Sequence, residues 1–256
     1  EDLVALSLWQ EQQQGVDFFA RVLRDRSASD QDIQLRNRSA DLLWAQLSGS
    51  VMDFAGTDAI FVAIVDVTER HNARLELERL ATTDSLTGLF NRRHFLLAAG
   101  RELKRSMRYE LPYTMLMLDI DHFKRVNDTY GHGFGDNVIR RFAEVARGCL
   151  RDEDLLGRIG GEEFCAVLVS SGQDGGYLVA ERIRKRWQEE AFEFQGARFN
   201  FTVSIGVACQ TRDSETVESI MERADAGLYS AKRAGRNCVI VHGGERVDGS
   251  RQQKPA

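Results

Sequence analysis

Arg158-Ile-Gly-Gly-Glu-Glu-Phe-Cys-Ala-Val-Leu-Val169 decides how the rest of the chain is read. Two glycines stand where a strand must turn tightly. Two adjacent carboxylates follow, and then an apolar run short enough for a buried strand. Adjacent glycines admit positive φ and a close approach to the backbone, so they suit a tight hairpin. Glu162 and Glu163 are then carried on a rigid turn rather than a loose loop. Taken alone, the stretch also reads as a solvated hairpin with an acidic tip, because hairpin tips are commonly glycine-rich and polar.

A second stretch, Thr114-Met-Leu-Met-Leu-Asp-Ile-Asp121, weighs against that bland reading. The apolar run Met115–Leu118 leads directly into Asp119. A continuous apolar run predicts a strand buried on both faces, and a carboxylate at its end is costly to bury without a partner. The usual compensation is a cation. One Asp at a strand end and one or two Glu on a hairpin can hold Mg²⁺ and leave positions open for water and phosphate oxygens. The two segments together look like the palm of a nucleotidyl cyclase or polymerase.

Further motifs follow in a fixed order: Asp84-Ser-Leu-Thr-Gly-Leu-Phe-Asn-Arg-Arg93, Asp119-Ile-Asp-His-Phe-Lys124, Asn127-Asp-Thr-Tyr-Gly-His132, Gly135-Asp136, Gly160-Gly-Glu-Glu-Phe164, Ser204-Ile-Gly-Val207 and Lys232-Arg-Ala-Gly-Arg-Asn237. Over roughly residues 80 to 242 this order resembles the GGDEF family of diguanylate cyclases. The resemblance implies condensation of two GTP into cyclic di-GMP with release of two pyrophosphates. It implies two Mg²⁺ or Mn²⁺ per active site, a homodimer, and inhibition by the product. It assigns the metal ligands to Asp119, Glu162 and the Ile120 carbonyl. Asp119, Glu162 and Glu163 are the catalytic acidic positions, with the division of roles between the two glutamates left open. Substrate contacts fall on Asn127 and Asp136 for guanine, and on Phe123, Lys124, His132, Lys232 and Arg236 for the rest of the nucleotide. Arg151, Asp154 and Arg182 match the inhibitory product site. His122 stands where many relatives carry Phe.

The residues fit these roles chemically. Guanine offers an N1–H beside an exocyclic amine, and one carboxylate accepts from both; adenine lacks that pair. Arginine forks suit guanine edges and phosphates. Local alternatives stand beside each. Asp136 also reads as an N-cap, Lys232 and Arg236 as cations suiting a helix C-terminus, and Arg151-Asp-Glu-Asp154 as a surface ion pair.

Composition bounds the function class. The 256 residues, 43% hydrophobic, suffice for one or two packed domains. A net charge of −5 implies no dominant basic face and so excludes a nucleic-acid polymer as the expected partner. The four cysteines (Cys149, Cys165, Cys209 and Cys238) form no Cys-x-x-Cys pair, so a reducing compartment without disulfides is expected. The five histidines show no zinc-ligand spacing. No run approaches the ~18 apolar residues of a membrane span, so a cytoplasmic location is expected. The chain begins at Glu1 rather than Met, which leaves an upstream anchor or sensor open.

The fold class is α+β: a ferredoxin-like, nucleotidyl-cyclase palm (βαββαβ), with helices on one face of an antiparallel sheet. The expected divisions are 1–68, a signalling helix 69–83, a catalytic domain 84–242 and a disordered tail 243–256. Residues 32–36, 42–47 and 59–65 predict three strands, with turn signals at Ser48-Gly-Ser50 and Ala55-Gly-Thr57. Val65-Asp-Val-Thr-Glu-Arg70 resembles the close of a PAS sensor domain, present only in its later half and of unknown ligand; an unrelated small antiparallel sheet is the alternative. Trp44 reads as core. Ala73, Leu77 and Leu80 share one face of the linking helix. Helices are expected around Phe95–Met107, Val138–Cys149, Val179–Trp187 and Val217–Leu228. Alternation from Phe199 to Cys209 predicts one strand covered on one face. Two other functions stay in view: an inactive domain that binds cyclic di-GMP, and a purine cyclase acting on ATP.

Overall fold

The computed structural model describes residues 8–37, 39–211 and 215–243. The expected disordered tail lies outside the described residues from 244 onward. The chain divides into two compact units, Glu1–Arg79 and Leu80–Ala256.

In the first unit, helix α1 (Gln12–Asp25) precedes three strands, β1 (Ser27–Arg36), β2 (Leu42–Phe54) and β3 (Thr57–Asp66). They form an antiparallel sheet in the order β1-β2-β3. The three strands agree with expectation; α1 was not anticipated, and it changes the reading of Ser48-Gly-Ser50. That tripeptide is no turn but lies inside β2. A Cβ on Gly49 would stand 2.7 Å from Val22 Cγ2, so the glycine admits α1 against the sheet. Phe18, Val22, Leu35, Ala45 and Leu47 close this small core. Trp44 is half-buried rather than core: its ring stacks on His71 at 4.0 Å. Helix α2 (Thr68–Thr82) follows and buries none of its residues.

The second unit is built on a six-stranded sheet. Its strands are β4 (Phe90–Asn91), β5 (Tyr113–Ile120), β6 (Leu155–Arg158), β7 (Glu163–Val169), β10 (Val203–Cys209) and β11 (Val239–Val241). The order is β11-β10-β5-β7-β6-β4. The inner four strands are antiparallel neighbours, while β4 and β11 add parallel at the two ends. The βαββαβ core is therefore present, carried by β5, α5 (His132–Arg147), β6, β7, α6 (Gln173–Glu189) and β10. A short helix α4 (Phe123–Tyr130) precedes α5, and β8 (Phe192–Phe194) pairs with β9 (Ala197–Phe199) as a separate hairpin.

Helices cover both faces of this sheet, which corrects the expectation of one covered face. Leu116, Leu118 and Ile120 of β5 point into a cluster with Phe142 of α5 and Ile183 and Trp187 of α6. Tyr113, Met115 and Met117 point the other way. They meet Phe95 and Leu103 of α3 (Arg92–Tyr109) and Ile220, Ala224 and Leu228 of α7 (Val217–Arg233). Strand β10 departs from expectation for the same reason. It starts only at Val203, and Val203 to Ala208 are all buried. Its small residues admit a helix on each side. A Cβ on Gly206 would stand 2.0 Å from the Ala224 carbonyl oxygen, so α7 lies directly on the strand. Trp187, fully buried and edge-on to Phe142 at 5.1 Å, anchors the other face; truncating a core aromatic costs about 3–5 kcal/mol.

Candidate active site

Strand β5, an inner strand buried along its whole length, carries Asp119 near its C-terminal end. Antiparallel register sets Asp119 opposite Glu163 on β7 and Ser204 on β10. Asp119 is only 5% exposed. Lys232, from the last turn of α7, places its Nζ 2.7 Å from Asp119 Oδ2. Burial pushes the Asp119 carboxyl up to about 6; Lys232 opposes the rise, while the charges of Glu162 and Glu163 add to it. Asp119 and Lys232 thus meet directly, and Glu162 and Glu163 lie near enough for their charges to act on Asp119.

The β6–β7 hairpin differs from its expected mechanics. Neither Gly160 nor Gly161 takes a positive φ. The turn closes through the Ile159 and Gly160 amides, which donate to the Glu163 carbonyl at 2.8 and 3.3 Å. A Cβ on Gly160 would lie 2.5 Å from Glu163 Oε2, so the glycine leaves that exposed carboxylate its present position over the turn. Arg158 Nε and Nη2 donate to the Gly161 carbonyl at 3.0 and 2.7 Å. Arg158 Nη1 reaches both oxygens of Asp84 at 3.1 and 3.2 Å. That brace was missed from sequence, although both residues sat inside quoted motifs.

Helices α4 and α5 bring the expected guanine contacts together. A Cβ on Gly135 would fall 1.9 Å from Asn127 Oδ1, so the glycine leaves Asn127 its place between α5 and α4. Asn127 and Asp136 are both half-buried. The N-cap alternative for Asp136 falls, because α5 starts at His132 with Gly131 as its N-cap. Phe123 is buried beneath the pair, while Lys124 and His132 are exposed. Arg236 is exposed on the turn after α7. Asp121, Thr202, Ser204 and Asn237 form a buried cluster that was also missed; three of them lay in quoted motifs with no role attached.

The expected product site is only partly as drawn. Asp154 is 5% exposed, and its carboxylate accepts from the backbone amides of Arg151 and Val169 at 2.9 and 3.0 Å. It therefore ties a turn to β7, and the surface Arg151–Asp154 ion pair is not made. Arg151 is exposed, with Glu153 at 3.9 Å. Arg182 donates to the Cys149 carbonyl.

The donor set around Asp119 is all oxygen, which suits a hard divalent cation. Among the described residues no group of three His, Cys, Asp or Glu side chains gathers as a ready metal cage. The desolvated charge on Asp119 beside two glutamates is what a cation relieves, and Lys232 meets part of that need.

Residues 81–238 match the family described as "Diguanylate cyclase, GGDEF domain". The chain belongs to the GGDEF family of diguanylate cyclases. Its GGDEF domain is similar to Diguanylate cyclase A of Treponema denticola, 40% identical over 169 residues, covering 65% of this chain and 46% of that protein. It is equally similar to the response regulator PleD of Caulobacter vibrioides, 40% identical over 173 residues, covering 67% of this chain and 38% of the other. The chain thus spans less than half the length of these relatives. Among solved structures, the coiled coil and GGDEF domain of DgcB from Caulobacter crescentus, in complex with c-di-GMP, matches with a TM-score of 0.63. That match has 36% identity and covers 68% of this chain and 92% of the other. The active GGEEF domain of a Vibrio cholerae diguanylate cyclase matches with a TM-score of 0.57, 32% identity and coverage of 60% and 98%. The GGDEF signature reads Gly-Gly-Glu-Glu-Phe here, as in that GGEEF domain of Vibrio cholerae.

Proposed function

We propose that this chain is an active diguanylate cyclase that joins two GTP into cyclic di-GMP and releases two pyrophosphates. The observation that carries the reading is the meeting of Asp119, Glu162, Glu163 and Lys232 at the ends of β5, β7 and α7. Asp119, Glu162 and the Ile120 carbonyl would hold two divalent cations, Mg²⁺ or Mn²⁺. Bound there, the cations would lower the pKa of the ribose 3′-hydroxyl and neutralise phosphate charge. Lys232 then leaves Asp119 for the triphosphate, which Lys124 and Arg236 also reach. Asp136 accepts from the guanine edge and Asn127 fixes its orientation. Product binding at Arg151 and Arg182, with Asp154 shaping the loop, supplies inhibition.

We propose for the domains a PAS-like unit over 1–68, a signalling helix over 69–83, and the cyclase domain over 84–242. The helix-then-three-strand order of the first unit supports its PAS-like character.

The test is a coupled assay of pyrophosphate and cyclic di-GMP with GTP or ATP and Mg²⁺. GTP should turn over and ATP should not. Asp119→Ala should lower kcat by at least about 10³-fold with unchanged Tm, the scale of losing a principal transition-state group. In the same assay, added cyclic di-GMP should inhibit wild type more than Arg151→Ala. A folded Asp119→Ala that keeps the parent rate would refute the metal-site reading.

A further inference from the structure

Three quoted motifs contain residues to which the proposed chemistry assigns nothing: Asp121, Ser204 and Asn237. They meet at one buried carboxylate. Asp121 is 3% exposed. Its Oδ1 accepts from Ser204 Oγ at 2.7 Å, and its Oδ2 from Thr202 Oγ1 at 2.7 Å and the Asn237 backbone N–H at 3.1 Å. Its own amide donates to the Thr202 carbonyl at 2.9 Å. A carboxylate this deep needs compensation, and here neutral donors supply it.

One of those donors belongs to a strained turn. Gly235, Arg236 and Asn237 follow α7 with φ of 109°, 65° and 46°. Two consecutive non-glycine residues in the left-handed region persist only where their surroundings specify them. Asp121 holds this turn by its backbone. Helix α6 holds it by a side chain: Arg184 Nη1 donates to Asn237 Oδ1 at 2.9 Å. Arg184 is itself locked, donating to both oxygens of Glu181 at 2.9 and 3.0 Å, with side-chain exposures of 14% and 19%. Gln188 Oε1 accepts from Arg184 Nη1 at 3.0 Å and from Asn237 Nδ2 at 3.3 Å. Between the end of α7 and this grip stands Arg236, whose guanidinium is left facing solvent.

We propose that Asp121 and Arg184 are positioning residues that clamp the 235–237 turn so that Arg236 presents its guanidinium to the triphosphate. The proposal rests on the reading of Arg236 as a triphosphate contact. The clamp prepays the ordering of a flexible cation, which would otherwise be charged against binding. It reaches the ligand only through Arg236, so its effect should vanish when Arg236 is gone.

The experiment is a double-mutant cycle on the full chain with Mg²⁺. The probe is a GTP analogue carrying a methylene between the α- and β-phosphates, so that binding is read without turnover. Arg184→Ala and Arg236→Ala should each weaken the dissociation constant by about tenfold, and the double variant should be no weaker than Arg236→Ala alone. Asp121→Ala should behave like Arg184→Ala, whereas Asp121→Asn keeps an acceptor for the Asn237 amide and should bind nearly as wild type. If Asp121→Ala fails to fold, the Arg184 cycle stands on its own. Additive losses in the double variant would overturn the clamp while leaving Arg236 a contact. An Arg236→Ala variant that binds as wild type would overturn the reading of Arg236, and the clamp with it.

Discussion

Asp84 and Arg158 illustrate how single side chains hold the site in shape. Asp84 sits near the start of the second unit and Arg158 at the root of the catalytic hairpin. Burial opposes the Asp84 charge, but hydrogen bonds from Thr87 and Arg158 outweigh it and keep the carboxyl below its ordinary 3.8. A carboxyl depressed on folding stabilises the native state above its unfolded value and loses that contribution as pH falls through the folded value. The gap in Tm between wild type and Asp84→Asn should therefore be constant above about pH 5 and close as the pH drops below about 4. A gap that stays unchanged down to pH 3 would show that the Asp84 charge does nothing for the fold. The same variant frees Arg158 from one of its two anchors and should loosen the hairpin.

At the scale of elements, the site depends on helices and strands passing unusually close. Gly206 on β10 faces the backbone of α7, where a Cβ would meet the Ala224 carbonyl oxygen at 2.0 Å and the Leu228 amide nitrogen at 2.2 Å. Backbone cannot swing aside as a side chain can. Gly206→Ala should therefore push α7 off the strand, destabilise the second unit by about 3 kcal/mol, and carry Lys232 away from Asp119. Denaturant unfolding would measure the first effect and cyclase rate the second. A variant that is both as stable and as active as wild type would refute the close-packing argument. Gly135 between α4 and α5 is a milder case, because there the crowding atoms belong to the side chains of Asn127 and Phe123 and a substitution would first displace Asn127.

For the whole molecule, the chemistry asks for two copies. On the proposed function the product joins two equivalent nucleotides, while the residues assigned to substrate would make one guanine pocket, Asn127 with Asp136, and one triphosphate site. We propose that two catalytic domains meet face to face, so that each 3′-hydroxyl lies against the other's α-phosphate. Helix α2 would supply the pairing surface: Leu77 and Leu80, three apart and so on one face, are 67% and 55% exposed, on a helix that buries nothing. Activity per molecule should fall on dilution, and Leu77→Glu with Leu80→Glu should shift the midpoint to higher protein concentration by about tenfold or more. Sedimentation run beside the rate assay would check it. Constant specific activity in a sample with no detectable dimer would rule the mechanism out.

Much of this was legible without coordinates. The carboxylates at a strand end and a hairpin, and the helical and strand periods of the catalytic region, are local patterns, and local patterns survive in sequence. So are the motif residues themselves: Asp119, Glu162, Glu163 and Lys232 were named before they could be seen to converge. What sequence could not decide was which residues touch across the sheet. Gly49 looked like a turn and proved to be a seat for α1. Gly160 reads as a bend needing positive φ, yet it takes none. Asp154 reads in sequence as half of a surface ion pair, and in the fold it is buried, accepting from the Arg151 and Val169 amides. Asp121, Ser204 and Asn237 stood in three separate motifs, and only folding brought them to one carboxylate. Covering both faces of the sheet was likewise a matter of packing, because small residues on β10 admit helices without announcing them. Periodicity records which side of an element is apolar; it does not record the partner, the distance, or the clash that a single Cβ would cause.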